Sequence, residues 1–192
     1  MNIRFVLSLL ILSTFSLVSC TNQDDNHKTS DNQRVESEEV ATSITITIPL
    51  QDSKGKQMAM ANLTQKQDGV HINVTSSSLP TGEHGFHFHE IGKCEGPDFT
   101  SAGDHFNPMN QQHGHQDDHQ SHAGDLPNIR SNEEKMTNET IIAKHVSLLP
   151  GKKNTLLDED GSALIIHEQP DDYTTQPSGN AGARMACGSI SS

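Results

Sequence analysis

The stretch ATSITITIPL, residues 41–50, alternates apolar and polar side chains: Ile44, Ile46 and Ile48 share one side, Thr45 and Thr47 the other. A period of two belongs to a β-strand with one face buried and one face wet. Ile and Thr also carry the branched Cβ that suits a pleated surface. The same reading extends downstream. Lys56 to Lys66 holds a second strand, Asp68-Gly69 looks like a hairpin turn, and Val70, Ile72 and Val74 mark the strand that follows. Glu83 to Glu90, Lys135 to His145, Ala163 to His167 and Arg184 to Ile190 supply further strands. Asp158, Glu159, Asp160 and Gly161 read as a turn. No segment keeps a helical period beyond a turn or two. Short strands at this spacing predict an all-β sandwich or barrel. Residues 91–127 form a long, polar, irregular stretch, and loops of that length in a compact domain are usually functional or disordered.

Upstream of residue 41 the pattern disappears. MNIRFVLSLLILSTFSLVSC, residues 1–20, has one early positive charge, Arg4, and an apolar run from Phe5 to Leu12. That run is too short for a comfortable transmembrane helix. It ends in Leu17, Val18, Ser19 and Cys20, which resembles the lipobox of bacterial lipoproteins. Residues 1–19 are therefore expected to be a signal peptide, with Cys20 the site of lipidation and the membrane anchor. Residues 20–40 contain almost nothing apolar and read as a flexible tether. Residues 41–192 remain as one domain, exported and held on the extracytoplasmic face.

The formal charge of −12 argues against nucleic acid or an anionic membrane surface as an electrostatic partner. Of the three cysteines, a lipidated Cys20 leaves Cys94 and Cys187 as one pair. An exported chain meets an oxidising compartment, where such a pair usually becomes a disulfide. Two unrelated thiols are the alternative. A loop this long, once closed, would contribute roughly 4–5 kcal/mol under the chain-entropy account. That contribution matters in a chain with 31% hydrophobic residues and no Trp.

Twelve histidines are unusual for this length, and their placement is informative. In GFHFHE, residues 85–90, Phe86 and Phe88 fall on one strand face and His87 and His89 on the other. The rings of phenylalanine can enter the core while two imidazoles form a natural grip for copper or zinc. The long loop then adds His105, His113, His115, His119, His122 and Asp125. Three or four such donors suit a closed tetrahedral zinc site, although a His-rich tract can also hold metal loosely. His167 ends the apolar run Leu164, Ile165, Ile166.

Taken in order, GFHFHE, Cys94, SAGDHFNP, HGHQDDHQSHAGD, IIHE and GNAGARMACG resemble the copper/zinc superoxide dismutase family over residues 41–192. The resemblance implies a Greek-key β-barrel of about eight antiparallel strands with long metal-binding and active-site loops. It implies copper held by His87, His89, His105 and His167, and zinc by His105, His113, His122 and Asp125. His105 would then lie between the two ions. Asp171 falls where the family has a carboxylate linking a copper histidine to a zinc histidine. Arg184 falls where the family has its substrate-guiding arginine, and Cys94 and Cys187 match its disulfide. Copper would alternate between two oxidation states while zinc cannot, so superoxide would become dioxygen and hydrogen peroxide. A homodimer is possible. His115 and His119 depart from the family spacing and leave a shifted zinc ligand set open. The segment DDYTTQPSGNAGA lacks the charged cluster of many eukaryotic members, which weakens the expectation of long-range steering. Two other functions compete: a lipoprotein that buffers zinc or copper, and an adhesion β-sandwich whose histidines are incidental.

Overall fold

In a computed structural model, residues 43–114 and 120–191 are described. The signal peptide, Cys20, the tether, His115 and His119 lie outside them. The described residues hold nine short strands, in order: β1 (Thr45–Gln51), β2 (Gln57–Lys66), β3 (Gly69–Ser76), β4 (Gly82–His84), β5 (Phe86–His89), β6 (Ile129–Ser131), β7 (Thr137–Ala143), β8 (Ser162–His167) and β9 (Arg184–Ile190). Among the described residues the only helical element is a 3₁₀ turn at Thr100–Ala102.

Seven strands form one antiparallel sheet in the order β5-β8-β9-β1-β2-β3-β7, and β4 pairs with β6. The two ladders are joined by the chain itself. β4 runs into β5 through Gly85, and β6 turns into β7 at Asn132, whose N–H donates to Met136 O (3.0 Å). Both margins of the large sheet are thus linked through the small one, which curls the whole into a barrel. The path β3, β4/β5, β6, β7 lies in the spatial order β3-β7-β6-β4, a Greek key.

The alternation seen in the sequence sets which side faces in. Ile48 and Leu50 of β1 are buried, as are Leu63, Ile72, Val74, Phe86, Phe88, Leu164 and Ile166 from neighbouring strands. The hairpin between β2 and β3 turns one residue earlier than Asp68-Gly69 suggests: Gln67 and Asp68 form it, and Gly69 already pairs with Lys66. Gly69 has φ 136°, and a Cβ there would lie 2.5 Å from Ala143 O. The positive φ at the strand's first residue and the close packing on β7 both call for glycine. Glu83–Glu90 is likewise interrupted at Gly85, and β6 carried no signal of its own.

β8 is buried along its whole length, SALIIH. Leu164 and Ile166 enter the barrel core. Ala163 and Ile165 point the other way, into a second cluster with Phe99, Ala102 and Cys187. That cluster exists because the first part of the long loop lies over the outside of β8 and β9. The Cys94–Cys187 disulfide fastens it there, with a Cα–Cα distance of 5.7 Å. The disulfide expectation is met. A strand covered on both faces reads as an unbroken apolar run, as this one does.

Candidate metal centre

β5 is paired with β8 on one side only. Its other edge is taken by the loop that follows it. Phe88 N–H donates to Gly124 O (2.9 Å), Phe106 N–H to Phe88 O (2.8 Å) and Glu90 N–H to Asp104 O (3.0 Å). His89 thereby lies opposite His105, and His87 opposite Asp125. Edge pairing delivers two loop residues to the strand face that already carries two imidazoles. A Cβ on Gly124 would meet Phe88 O, so glycine is needed for this approach. His167 arrives from the end of β8, where its N–H donates to Gly85 O (2.8 Å).

Two clusters result, and they share one ring. His87, His89, His105 and His167 form the first, and His105, His113, His122 and Asp125 the second; within each, the donor atoms lie within 4.8 Å of one another. All seven residues are buried. The His105 ring centroid is 4.1 Å from that of His87, 5.0 Å from His89, 5.3 Å from His113 and 5.5 Å from His122. The structure thus brings together each residue of the two expected ligand sets.

Hydrogen bonds fix which nitrogen of each ring is free. His89 Nδ1–H donates to Gly103 O (3.0 Å) and His167 Nδ1–H to Gly182 O (3.3 Å). His87 Nε2–H donates to Asp171 Oδ2 (2.7 Å). What remains is His87 Nδ1 and the Nε2 atoms of His89, His105 and His167, all buried without a hydrogen-bond partner. Four orphaned lone pairs converging in one place are costly unless a cation takes them. In the second cluster, the Nδ1 atoms of His105, His113 and His122 lie 2.7, 3.0 and 3.2 Å from Asp125 Oδ1. Ligands about 2.0–2.1 Å from a tetrahedral centre stand about 3.3 Å apart, so this spacing fits a closed zinc site. Both clusters pass this test of fit.

Burial and carboxylate contacts act on these rings in opposite senses. Burial lowers His105 to about 4 and His167 to about 3, and carries His89 well below its usual value. These rings are neutral at pH 7, as metal ligands must be. Burial also pushes His113 down, but its contacts with the Asp125 and Asp171 carboxylates outweigh that and raise it to about 9, so a cation bound there would displace a proton from this ring. Burial would raise Asp125 and Asp171, yet hydrogen bonds to the histidine rings hold both well below the usual carboxylate range.

Asp171 links the clusters: Oδ2 accepts from His87 Nε2 and Oδ1 from His113 Nε2 (2.9 Å). Its own backbone is set by Asn128, whose Oδ1 accepts Asp171 N–H (2.9 Å) and whose Nδ2 donates to Asp171 O (2.9 Å). Above the first cluster lies a cleft of about 530 Å³ lined by His89, His105, His167 and Arg184, with Glu90 and Asp104 also on its wall. Arg184 Nη1 donates to Phe99 O and Nη2 to Gly103 O, both at 2.6 Å. The guanidinium is therefore held in place by the loop that the disulfide fastens.

Sequence reasoning missed several contributors. His84 is buried, with Nδ1 3.0 Å from His167 O and Nε2 2.9 Å from Pro80 O, between two backbone segments, one of them that of His167 itself. Asn128, Gln176 and the carbonyls of Gly103 and Gly182 also went unread. No spacing rule marks such partners, because each acts across the fold on a residue distant in sequence.

Comparison with known proteins agrees with this geometry. Residues 58–190 match the family described as copper/zinc superoxide dismutase (SODC). Superoxide dismutase [Cu-Zn] 1 of Aquifex aeolicus is 45% identical over 140 residues, covering 72% of this chain and 83% of that protein. The crystal structure of a SOD-like protein from Bacillus subtilis superposes with a TM-score of 0.71 at 43% identity, covering 75% of this chain and 97% of that one. Cu/Zn superoxide dismutase from Brucella abortus superposes with a TM-score of 0.64 at 29% identity, covering 77% and 99%. The chain belongs to the copper/zinc superoxide dismutase family, oxidoreductases that act on superoxide with copper and zinc as cofactors.

Proposed function

We propose that this chain dismutates superoxide outside the cytoplasm, with copper held by His87, His89, His105 and His167 and zinc by His105, His113, His122 and Asp125. The single observation that carries the assignment is the set of buried, unpartnered nitrogens at His87, His89, His105 and His167, beside a second cluster with tetrahedral spacing. Four nitrogen donors beside an open cleft suit a redox-active copper, and the closed histidine-carboxylate set suits zinc. Copper supplies a one-electron couple that can both accept from and donate to superoxide.

The remaining chemistry belongs to side chains. Arg184 is a permanent cation fixed on the cleft wall, where it draws the small anion in and orients it. His105 presents Nε2 to the copper-type set and Nδ1 to the zinc-type set. Nε2 can hold a proton between the two half-reactions and hand it to the departing peroxide. Asp171 fixes the tautomers of His87 and His113 together, so the two sites keep their relative orientation. Lipidation at Cys20 would place the domain on a membrane surface, at the end of a polar tether, to defend the cell envelope.

Elemental analysis and an activity assay test the assignment together. Loaded wild-type protein is expected to bind one copper and one zinc and to remove superoxide. His87→Ala should lose activity and copper while zinc stays. Equal loss of both metals contradicts the ligand assignment, and full metal loading without activity favours a metal buffer.

A further inference from the structure

We propose that Gln176 is a positioning residue for His113, clasping its backbone from across the fold; this rests on the assignment of His113 to zinc. The side-chain amide of Gln176 makes two hydrogen bonds to one residue. His113 N–H donates to Gln176 Oε1 (2.9 Å), and Gln176 Nε2 donates to His113 O (2.8 Å). A primary amide presents an acceptor and a donor side by side, so it pairs with the N–H and C=O of one residue much as a neighbouring strand would. His113 lies in a strand-free part of the long loop, and these two bonds supply what a ladder would otherwise give.

The clasp has a rigid base. The Asp172 carboxylate accepts the backbone N–H groups of Thr174 (2.9 Å) and Thr175 (2.7 Å) and both their hydroxyls. Gly179 N–H donates to Thr175 O (2.7 Å), and Asp172 N–H to Gly179 O (2.9 Å). Residues 171–179 are thus braced on themselves before they reach His113. The same segment holds the imidazole, through Asp171 Oδ1 and His113 Nε2. Backbone and ring of one zinc ligand are therefore both set from a segment about sixty residues away, Asp171 orienting the ring and Gln176 the main chain it hangs from. Nδ1 sits close to the backbone on the imidazole, so a shift of the main chain passes almost undiminished to that donor atom.

Gln176 is solvent-exposed apart from this clasp, so its removal opens no cavity in the core. The test compares zinc release from metal-loaded wild type, Gln176→Ala and Gln176→Glu into an excess of a chromogenic zinc chelator. Loss of an outer partner typically costs a metal site 10–100-fold in affinity, and release from Gln176→Ala is expected to be roughly tenfold faster. Gln176→Glu keeps an acceptor for His113 N–H but sets a second oxygen against His113 O, so it should release zinc at least as fast as Gln176→Ala. Hydrogen exchange at the His113 amide should accelerate in Gln176→Ala, which loses the acceptor, and melting of the metal-free proteins reports folding separately. Wild-type release rates in both variants overturn the inference. Failure of wild-type protein to bind zinc overturns instead the assignment on which it rests.

Discussion

At the scale of single residues, burial and carboxylate contacts divide the histidines into two electrostatic kinds. His105 and His167 have folded-state values near 4 and 3, below the 6.5 of a free imidazole. Between those values the unfolded chain binds more protons, so the stability these rings allow is lost as pH falls from about 6.5 toward 3. His113 works in the opposite sense, with a folded-state value near 9. Its contribution is complete below 6.5 and is lost as pH rises through 9. Metal-free protein is therefore expected to melt at its highest temperature near pH 6.5, and His113→Gln should flatten the alkaline decline. Thermal melts across pH 4–9 check this; an unchanged alkaline decline in His113→Gln would contradict the assigned contacts. The residues that the structure gathers into two donor clusters were legible in the sequence, because each carries its chemistry in its own side chain. His84, Asn128 and Gln176 were not, since nothing in a histidine or amide announces which distant carbonyl it will meet.

At the scale of elements, the long loop is the part that turns a barrel into a site. It pairs along the free edge of β5, places His105 and Asp125 opposite His89 and His87, and covers β8 with a second apolar cluster. The disulfide to β9 fastens its first part, from which Phe99 O and Gly103 O hold Arg184. Replacing Cys94 and Cys187 by serine is expected to cost about 2–5 kcal/mol in denaturant unfolding. Activity should fall further than metal content, because the arginine loses its two carbonyl anchors while edge pairing on β5 keeps His105 and Asp125 opposite His89 and His87. Parallel loss of copper, zinc and activity would show that the loop carries the whole centre. Strands with a clean period of two, such as β1 and β3, could be read directly from the sequence. β6 could not: three residues are too few to set a period, and its pairing with β4 is a property of the closed barrel. Asp68-Gly69 marks the hairpin one residue late, because a glycine that opens a strand with a positive φ looks the same in sequence as one inside the turn.

At the scale of the whole molecule, charge opposes the substrate. A net charge of −12 repels an anion at long range, although salt screens that field beyond about 8 Å at physiological strength. Within that range the cleft holds the Arg184 cation with Glu90 and Asp104 beside it. Arg184→Glu is expected to slow turnover more at low salt than at high salt, as pulse-radiolysis rates across an ionic-strength series would show. A salt-independent loss would mean that Arg184 acts by holding the loop and not by its field. The barrel, the disulfide and the cleft all converge on one physical arrangement, a single imidazole shared by two donor clusters. A crystal structure of the loaded protein, with anomalous data at the copper and zinc edges, measures that arrangement directly. One copper near His105 Nε2 and one zinc near His105 Nδ1 are expected; two ions that do not share this ring, or both edges at one position, would contradict the shared imidazole.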